Sequence, residues 1–189
     1  RFGSIADIPL ASYEEELLGS LAGRSRLLDV GAGAHKPLKA VAERLGISYF
    51  CLDTDPEGNF DYLAFSEIPE KTTFDIIVAN QVIEHMGVDE AFDCVHNIFL
   101  KLAPNSLFFA TVPNAAHPVR QRDCTHITPW PANDLYSLLR SAGFEITKLR
   151  RYNKYPLPED PFKRWIVQTV CQEFRMDWAD SLLIIGQRN

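Results

Sequence analysis

Long apolar runs are missing from this sequence. No stretch approaches the ~18 consecutive apolar residues of a membrane-spanning helix, so no membrane partner is expected. Cysteine is sparse: Cys51, Cys94, Cys124 and Cys171 stand far apart, without any paired-cysteine spacing. That argues against a disulfide framework and fits a reducing, cytoplasmic setting. Positive charge is in deficit, with 19 Lys and Arg against 25 Asp and Glu and a formal net charge of -6. Non-specific grip on nucleic acid needs several cations on phosphates, so no nucleic acid partner is expected. Internal repeats and low-complexity segments are absent too. What remains is an ordinary globular composition of 189 residues, 46% of them hydrophobic. A chain of that length buries about 70% of its unfolded surface and suits a single domain over 1–189.

The stretch that organises the rest is Arg26-Leu27-Leu28-Asp29-Val30, which runs without a break into Gly31-Ala32-Gly33-Ala34. It reads as a buried strand entering a tight loop of small residues that lets a ligand approach the backbone. Residues 35–45 are compatible with a helix, so loop N–H groups and the positive end of a helix dipole would face that ligand. Nucleotide, phosphate and adenosyl sites all use such loops. Asp29 discriminates among them, because a carboxylate gains little beside phosphates but receives a cation well. A second strand, Ile47-Ser48-Tyr49-Phe50-Cys51-Leu52, stops at Asp53-Thr54-Asp55-Pro56. In a doubly wound sheet an acid about 20 residues past the glycines accepts ribose hydroxyls, which makes Asp53, with Thr54 beside it, the candidate. The alternative for Asp53 is a turn-capping role.

These segments resemble the class I S-adenosylmethionine-dependent methyltransferases, in particular the broad small-molecule or sugar-type group. LLDVGAGA is similar to their first motif, and YFCLD to their second. FDIIVANQVIEHM, LKLAPNSLFFATVPN and LYSLLRSAGFEI follow in the family's order, so that the resemblance covers roughly residues 24–150. One departure is His35, which stands where the family usually has a third glycine. The resemblance implies an α/β, Rossmann-like, doubly wound and mostly parallel seven-stranded sheet, with helices on both faces and an antiparallel last strand. S-adenosyl-L-methionine is the implied cofactor. Asp29, Gly31, Ala32, Gly33, Asp53, Thr54, Asn80 and Gln81 are its implied contacts, and adenine would meet Asp61 or the backbone near Ala64 and Phe65. For Asp61 the other reading is a surface carboxylate beside a strand.

Along the chain, Ser12 caps a helix through Tyr13, Leu17, Leu18 and Leu21 that Gly23 ends. Tyr13 is read as core packing, with a cofactor contact as the alternative. A third strand is expected within 58–65, and strands at 74–80, 107–112, 144–151 and 181–186. Helices are expected over 88–102, with Phe92, Val95, Phe99 and Leu102 inward, and over 131–142. Residues 115–129, rich in His, Arg, Asp and Pro, form a substrate loop, and 152–178 a helical insertion starting at Pro161. Asn114, His117 and Arg120 are the substrate-binding candidates.

Methyl transfer to a hydroxyl needs a base for the proton, and histidine suits neutral pH. His126, with Asp123 to orient it, is the first candidate, and His85 and His117 compete. His117, Asp123, Cys124 and His126 match no standard zinc spacing, so no metal is expected. The Asn/Asp-Pro-Pro-aromatic signature for methylating amino groups is absent after Asn80, where the chain reads Gln81-Val82-Ile83. The partner is then a small-molecule acceptor, taken at oxygen, and a homodimer is allowed. Two other readings stay open: a non-catalytic cofactor-binding module with a protein partner, and a nicotinamide-dependent oxidoreductase.

Overall fold

Leu27, Leu28 and Val30 are almost wholly removed from solvent, because the strand that carries them lies inside a sheet with both faces covered. The computed structural model describes residues 4–118, 123–153 and 157–189. Its strands are β1 (Arg26–Val30), β2 (Ser48–Leu52), β3 (Phe74–Asn80), β4 (Leu102–Pro113), β5 (Glu145–Tyr152) and β6 (Ser181–Arg188). They form a six-stranded sheet in the order β2-β1-β3-β4-β6-β5. The β1–β2, β1–β3 and β3–β4 pairs are parallel, and β6 runs antiparallel between β4 and β5. Chain order reverses between β1 and β3, so a crevice opens at their carboxyl ends.

Alternation along the strands divides the core. Leu27, Ile76 and Phe109 face α1 (Tyr13–Leu21) and α2 (Pro37–Leu45), where Leu17, Leu21, Leu38 and Ala42 meet them. Leu28, Ile77 and Phe108 face α3 (Val88–Lys101) and α4 (Ala132–Ser141), against Val95, Ile98, Leu135 and Leu139. Each such buried side chain contributes about 1.5–3 kcal/mol. Ser12 caps α1 as expected, accepting from Glu15 N at 3.3 Å. The last helix, α5 (Pro161–Glu173), is capped by Asp160 and buries no residue. Among the described residues no helix is long and apolar enough to cross a membrane.

Four expectations need correction. The sheet has six strands among the described residues, not seven, because 58–65 does not form a strand. The Asp61 carboxylate takes the Cys51 N–H at 2.8 Å, where a neighbouring strand's carbonyl would stand, and contact shrinks to a bridge between Leu52 and Tyr62. Helix α2 starts at Pro37 rather than residue 35, since a residue before proline is pushed away from helical backbone and Lys36 takes φ +43° instead. On α3 Val95 faces inward and Phe99 packs against the core as expected, but Ala91, Cys94 and Ile98 complete the buried stripe and Phe92 is 39% exposed. Phe92 lies about 100° round the helix from Ala91. Strand β4 begins at Leu102, well before the expected 107.

Candidate active site

The glycine loop leaves β1 at Gly31, whose φ of +67° suits glycine alone and where an added Cβ would fall 2.5 Å from Val82 Cγ2. Its N–H donates to the Leu52 carbonyl at 2.8 Å, which seats the turn on the end of β2, and Ala32 behind it is buried. Gly33, at φ +60°, differs: a Cβ there would meet nothing within 4 Å. It faces open space above the crevice. The position that breaks with the resembled family, His35, is exposed and has no positive φ. The left-handed step falls on Lys36, whose ammonium lies over the Phe60 ring at 4.7 Å and donates to the Asn59 carbonyl.

Two carboxylates flank the loop. Asp29 is 3% exposed, and burial raises its carboxyl to about 6 from 3.8, with the nearby Asp53 charge adding to the rise. The Tyr49 hydroxyl donates to Asp29 Oδ2 at 2.8 Å and works against that rise. Asp53 accepts from Gly33 N at 2.9 Å through one oxygen and from Asp55 N at 3.2 Å through the other. Asp53 therefore caps its own turn and also ties the end of β2 to the glycine loop.

The crevice holds a cleft of about 650 Å³ lined by Gly31, Asp53, Thr54, Leu63, Ala64, Phe65, Gln81, Val82, His85 and Met86. Gln81, just past β3, holds φ +57°, and its backbone N–H donates to the Thr111 carbonyl at 3.0 Å. Strained left-handed backbone of this kind concentrates where a scaffold over-determines a working residue. Asn80, one residue earlier, accepts from the Thr111 hydroxyl and lines a second recess, with Ser12, Tyr13 and Tyr152. There the Tyr13 ring packs 5.9 Å from Phe109 and 5.4 Å from Tyr152, and burial pushes its hydroxyl's pKa up. The packing role read for Tyr13 is present, and so is a place on the recess wall.

Past Gln81 the chain makes a single 3-10 turn, Ile83–His85, and the segment 123–130 folds over it. Ile127 N and Thr128 N donate to the Glu84 carbonyl at 2.8 and 3.0 Å. The Trp130 indole N–H donates to the Ile83 carbonyl at 3.2 Å, and the Thr128 hydroxyl to the Met86 carbonyl at 2.7 Å. This frame brings His85, Asp123 and His126 together. The two imidazoles meet edge to face, 4.9 Å between centroids, and His126 Nε2 stands 3.8 Å from Asp123 Oδ2. Hydrogen bonds from the Thr125 hydroxyl and N–H hold the Asp123 carboxyl below its usual range. A pocket of about 310 Å³ opens here, lined by Glu84, Asp123, Cys124, His126 and Thr128 among others.

Other candidates are placed elsewhere. The Asn114 amide is engaged by the scaffold: Nδ2 donates to Asp177 Oδ2 and the Ala179 carbonyl, both at 2.8 Å, while Oδ1 accepts from Ala116 N. His117 is buried against Trp178, 5.9 Å away, and is not part of the His85–His126 corner. Arg120 lies outside the described residues. Asp61 points at β2, whereas Ala64 and Phe65 line the cleft. Sequence reasoning missed Glu84 as a site residue. The Glu84-His85 pair directly after a buried strand was the available signal.

Comparison with known proteins agrees with this geometry. The family described as a methyltransferase domain matches residues 8–149. No curated protein matches the sequence. Among solved structures, a SAM dependent methyltransferase from Archaeoglobus fulgidus is similar with a TM-score of 0.70 at 17% identity, over 92% of this chain and 90% of that one. An S-adenosylmethionine dependent methyltransferase from Mesorhizobium loti gives 0.62 at 13% identity, over 92% and 95%. The cyclase SpnF gives 0.64 at 20% identity, over 94% and 83%. At such identities the likeness is one of fold.

Proposed function

This chain belongs to the methyltransferase domain family, and we propose that its reaction places a methyl group on an oxygen atom of a small-molecule acceptor. The cofactor of the family is S-adenosylmethionine, which when bound supplies an electrophilic methyl carbon on a cationic sulfonium. The observation that carries the cofactor half of the reading is Asp29, a buried carboxylate beside a glycine loop, held ionised only against burial. It calls for a cationic ligand rather than a phosphate.

The residues fit the group. Gly31 leaves no room for a side chain, Gly33 opens on free space, and Asp53 at the crevice retains lone pairs for hydroxyl donors. Asp29 would hold the amino acid end, and Gln81, Val82 and Met86 the wall of the adenosine side. Thr54, Ala64 and Phe65 complete that wall.

An acceptor bound in the 310 Å³ pocket would lie against His126 and Glu84, with His85 on the border with the larger cleft. That volume suits a small molecule. His126, with the Asp123 carboxylate 3.8 Å from its Nε2, would control the hydroxyl proton. Displacement at a methyl carbon needs little else from a protein than alignment and exclusion of water. Widely separated free thiols support a reducing, cytoplasmic setting.

The test is calorimetric titration with S-adenosylmethionine, S-adenosylhomocysteine and NADH, followed by an acceptor screen read by S-adenosylhomocysteine release. Micromolar binding of the adenosyl pair alone is expected. NADH binding alone would replace the reading with an oxidoreductase. A second reading, a cofactor-binding module serving a protein partner or a second copy, is favoured by α5 and its C-cap, where Phe162, Trp165 and Phe174 are 67%, 60% and 71% exposed.

A further inference from the structure

We propose that Glu84, His85 and His126 bind one divalent first-row transition-metal ion at the border of the two pockets. Their ligand atoms all lie within 4.8 Å of one another. Metal–nitrogen and metal–oxygen bonds of about 2.0–2.2 Å would draw them in by roughly 1 Å, within reach of small side-chain rotations. Two imidazoles and one carboxylate suit zinc, cobalt or manganese better than magnesium or calcium, which prefer all-oxygen shells.

Three further observations carry the assignment. His85 already has an acceptor on one ring nitrogen, the arrangement that orients metal-ligating histidines, and a carboxylate stands 3.8 Å from a ring nitrogen of His126. His85 Nδ1 lies 3.2 Å from the Thr125 carbonyl, which fixes its proton there and leaves the Nε2 lone pair for a ligand. Beside His126 Nε2 stands the Asp123 carboxylate, itself held by Thr125. Second, the ligands are pre-organised: Ile127 and Thr128 bond the Glu84 carbonyl, so a loop some forty residues away in sequence is fastened to the turn that carries Glu84 and His85. Third, three protein ligands leave coordination positions free, and these face a pocket. Structural metal sites are closed, whereas reactive ones keep a position for water or substrate.

The role follows from the methyltransferase reading, on which it rests. An acceptor hydroxyl bound to the ion releases its proton to water. Its oxygen lone pair then forms the O–CH3 bond as the S–CH3 bond of the cofactor breaks, leaving S-adenosylhomocysteine. His126 then controls the hydroxyl proton through the ion it holds, which acidifies the bound hydroxyl, with His85 as a fellow ligand.

The experiment uses the full chain, treated with chelator and dialysed, and titrated separately with Co2+, Zn2+ and Mg2+. Calorimetry gives the stoichiometry, and the visible spectrum of Co2+ reports histidine coordination. One equivalent of Co2+ or Zn2+ at micromolar Kd or tighter is expected, with Mg2+ far weaker. His126→Ala, in a loop that buries little, should weaken binding at least ~100-fold while circular dichroism stays unchanged, and Glu84→Gln should do the same. Asp123→Asn should weaken it ~10-fold. Absence of stoichiometric binding by the folded wild-type chain, or binding that survives His126→Ala together with His85→Ala, overturns the site. S-adenosylmethionine is titrated into the same samples. Cofactor binding without metal binding sinks the metal site alone, and metal binding without cofactor binding sinks the methyltransferase reading alone.

Discussion

Replacing Asp29 by Asn should stabilise the unliganded protein and weaken it as a binder. In the fold the Asp29 carboxyl is raised from 3.8 to about 6, chiefly by burial. Because the folded value lies above the unfolded one, the folded chain holds the proton longer. The stabilising contribution is complete below about pH 4, is lost as pH rises through 6, and is gone above 7. Two units at about 1.36 kcal/mol each make the ionised Asp29 a burden of ~3 kcal/mol at pH 8. Asn carries no charge and keeps an oxygen to accept the Tyr49 hydroxyl, which lies 2.8 Å from Oδ2. In a chain of this length 3 kcal/mol corresponds to roughly 6–12 °C in Tm. Thermal unfolding followed by circular dichroism should therefore show Asp29→Asn melting higher than wild type at pH 8, with the difference nearly closed at pH 4. Calorimetry at pH 8 should show S-adenosylmethionine bound ~10- to 150-fold more weakly, the loss of one charge-assisted bond of about 1.5–3 kcal/mol. An Asn variant that melts at or below wild type at pH 8, or that binds the cofactor unchanged, would refute the reasoning.

Asp53→Ala should weaken cofactor binding by a similar ~10- to 150-fold, and it also frees the Gly33 N–H, which hydrogen exchange can follow. Gly31→Ala combines a left-handed φ of +67° with a Cβ 2.5 Å from Val82, so denaturant titration should show a loss of about 2–4 kcal/mol. Once an acceptor is found, His126→Ala should lower turnover ~10²- to 10⁴-fold with cofactor Kd unchanged, and His85→Ala should lower turnover by a similar factor; unaltered turnover in both removes the histidines from the chemistry. Trp165→Glu on α5 should shift the protein toward monomer in sedimentation if that exposed face is a homodimer contact, and an unchanged sedimentation coefficient ends that idea.

Legibility in the sequence followed the range of the interactions involved. Strand β3 was readable to the residue because a both-face-buried parallel strand is a continuous apolar run, and nothing beyond 74–80 confuses it. The glycine loop was readable because local backbone geometry demands small residues at Gly31. The missing strand at 58–65 was not, since its fate depends on one side chain, Asp61, reaching a backbone N–H ten residues back. On α3 Phe92 alone of the expected inward residues was misplaced, for a related reason: it is larger than Ala91, yet the sheet below fixes which stripe turns in. In the site, Asp123 and His126 could be paired from their spacing, but His85 could not be joined to them. Their proximity depends on Thr128, Trp130 and the Glu84 carbonyl, contacts of more than forty residues' separation that leave no periodic trace.

Three features that oppose folding stand together at the carboxyl end of the sheet. A buried acid sits at the penultimate residue of β1, a left-handed glutamine directly follows β3, and two imidazoles are pressed edge to face above them. At the opposite end Ser25 N and Arg26 N donate to Asp75 at 2.8 and 3.0 Å, a satisfied contact between strand starts, and the exceptions there are the left-handed Asn105 and the buried Arg26 Nε. A sheet selected for stability alone has no reason to keep its strained groups at the carboxyl ends of adjacent parallel strands. A ligand that binds there with positive charge, hydroxyls and a reacting centre relieves the buried charge on binding, and linkage then returns that free energy as affinity. The same argument explains why the two carboxylates differ. Asp53, on the more open side, is held by the Gly33 and Asp55 N–H groups, while Asp29, beneath the loop, has the Tyr49 hydroxyl.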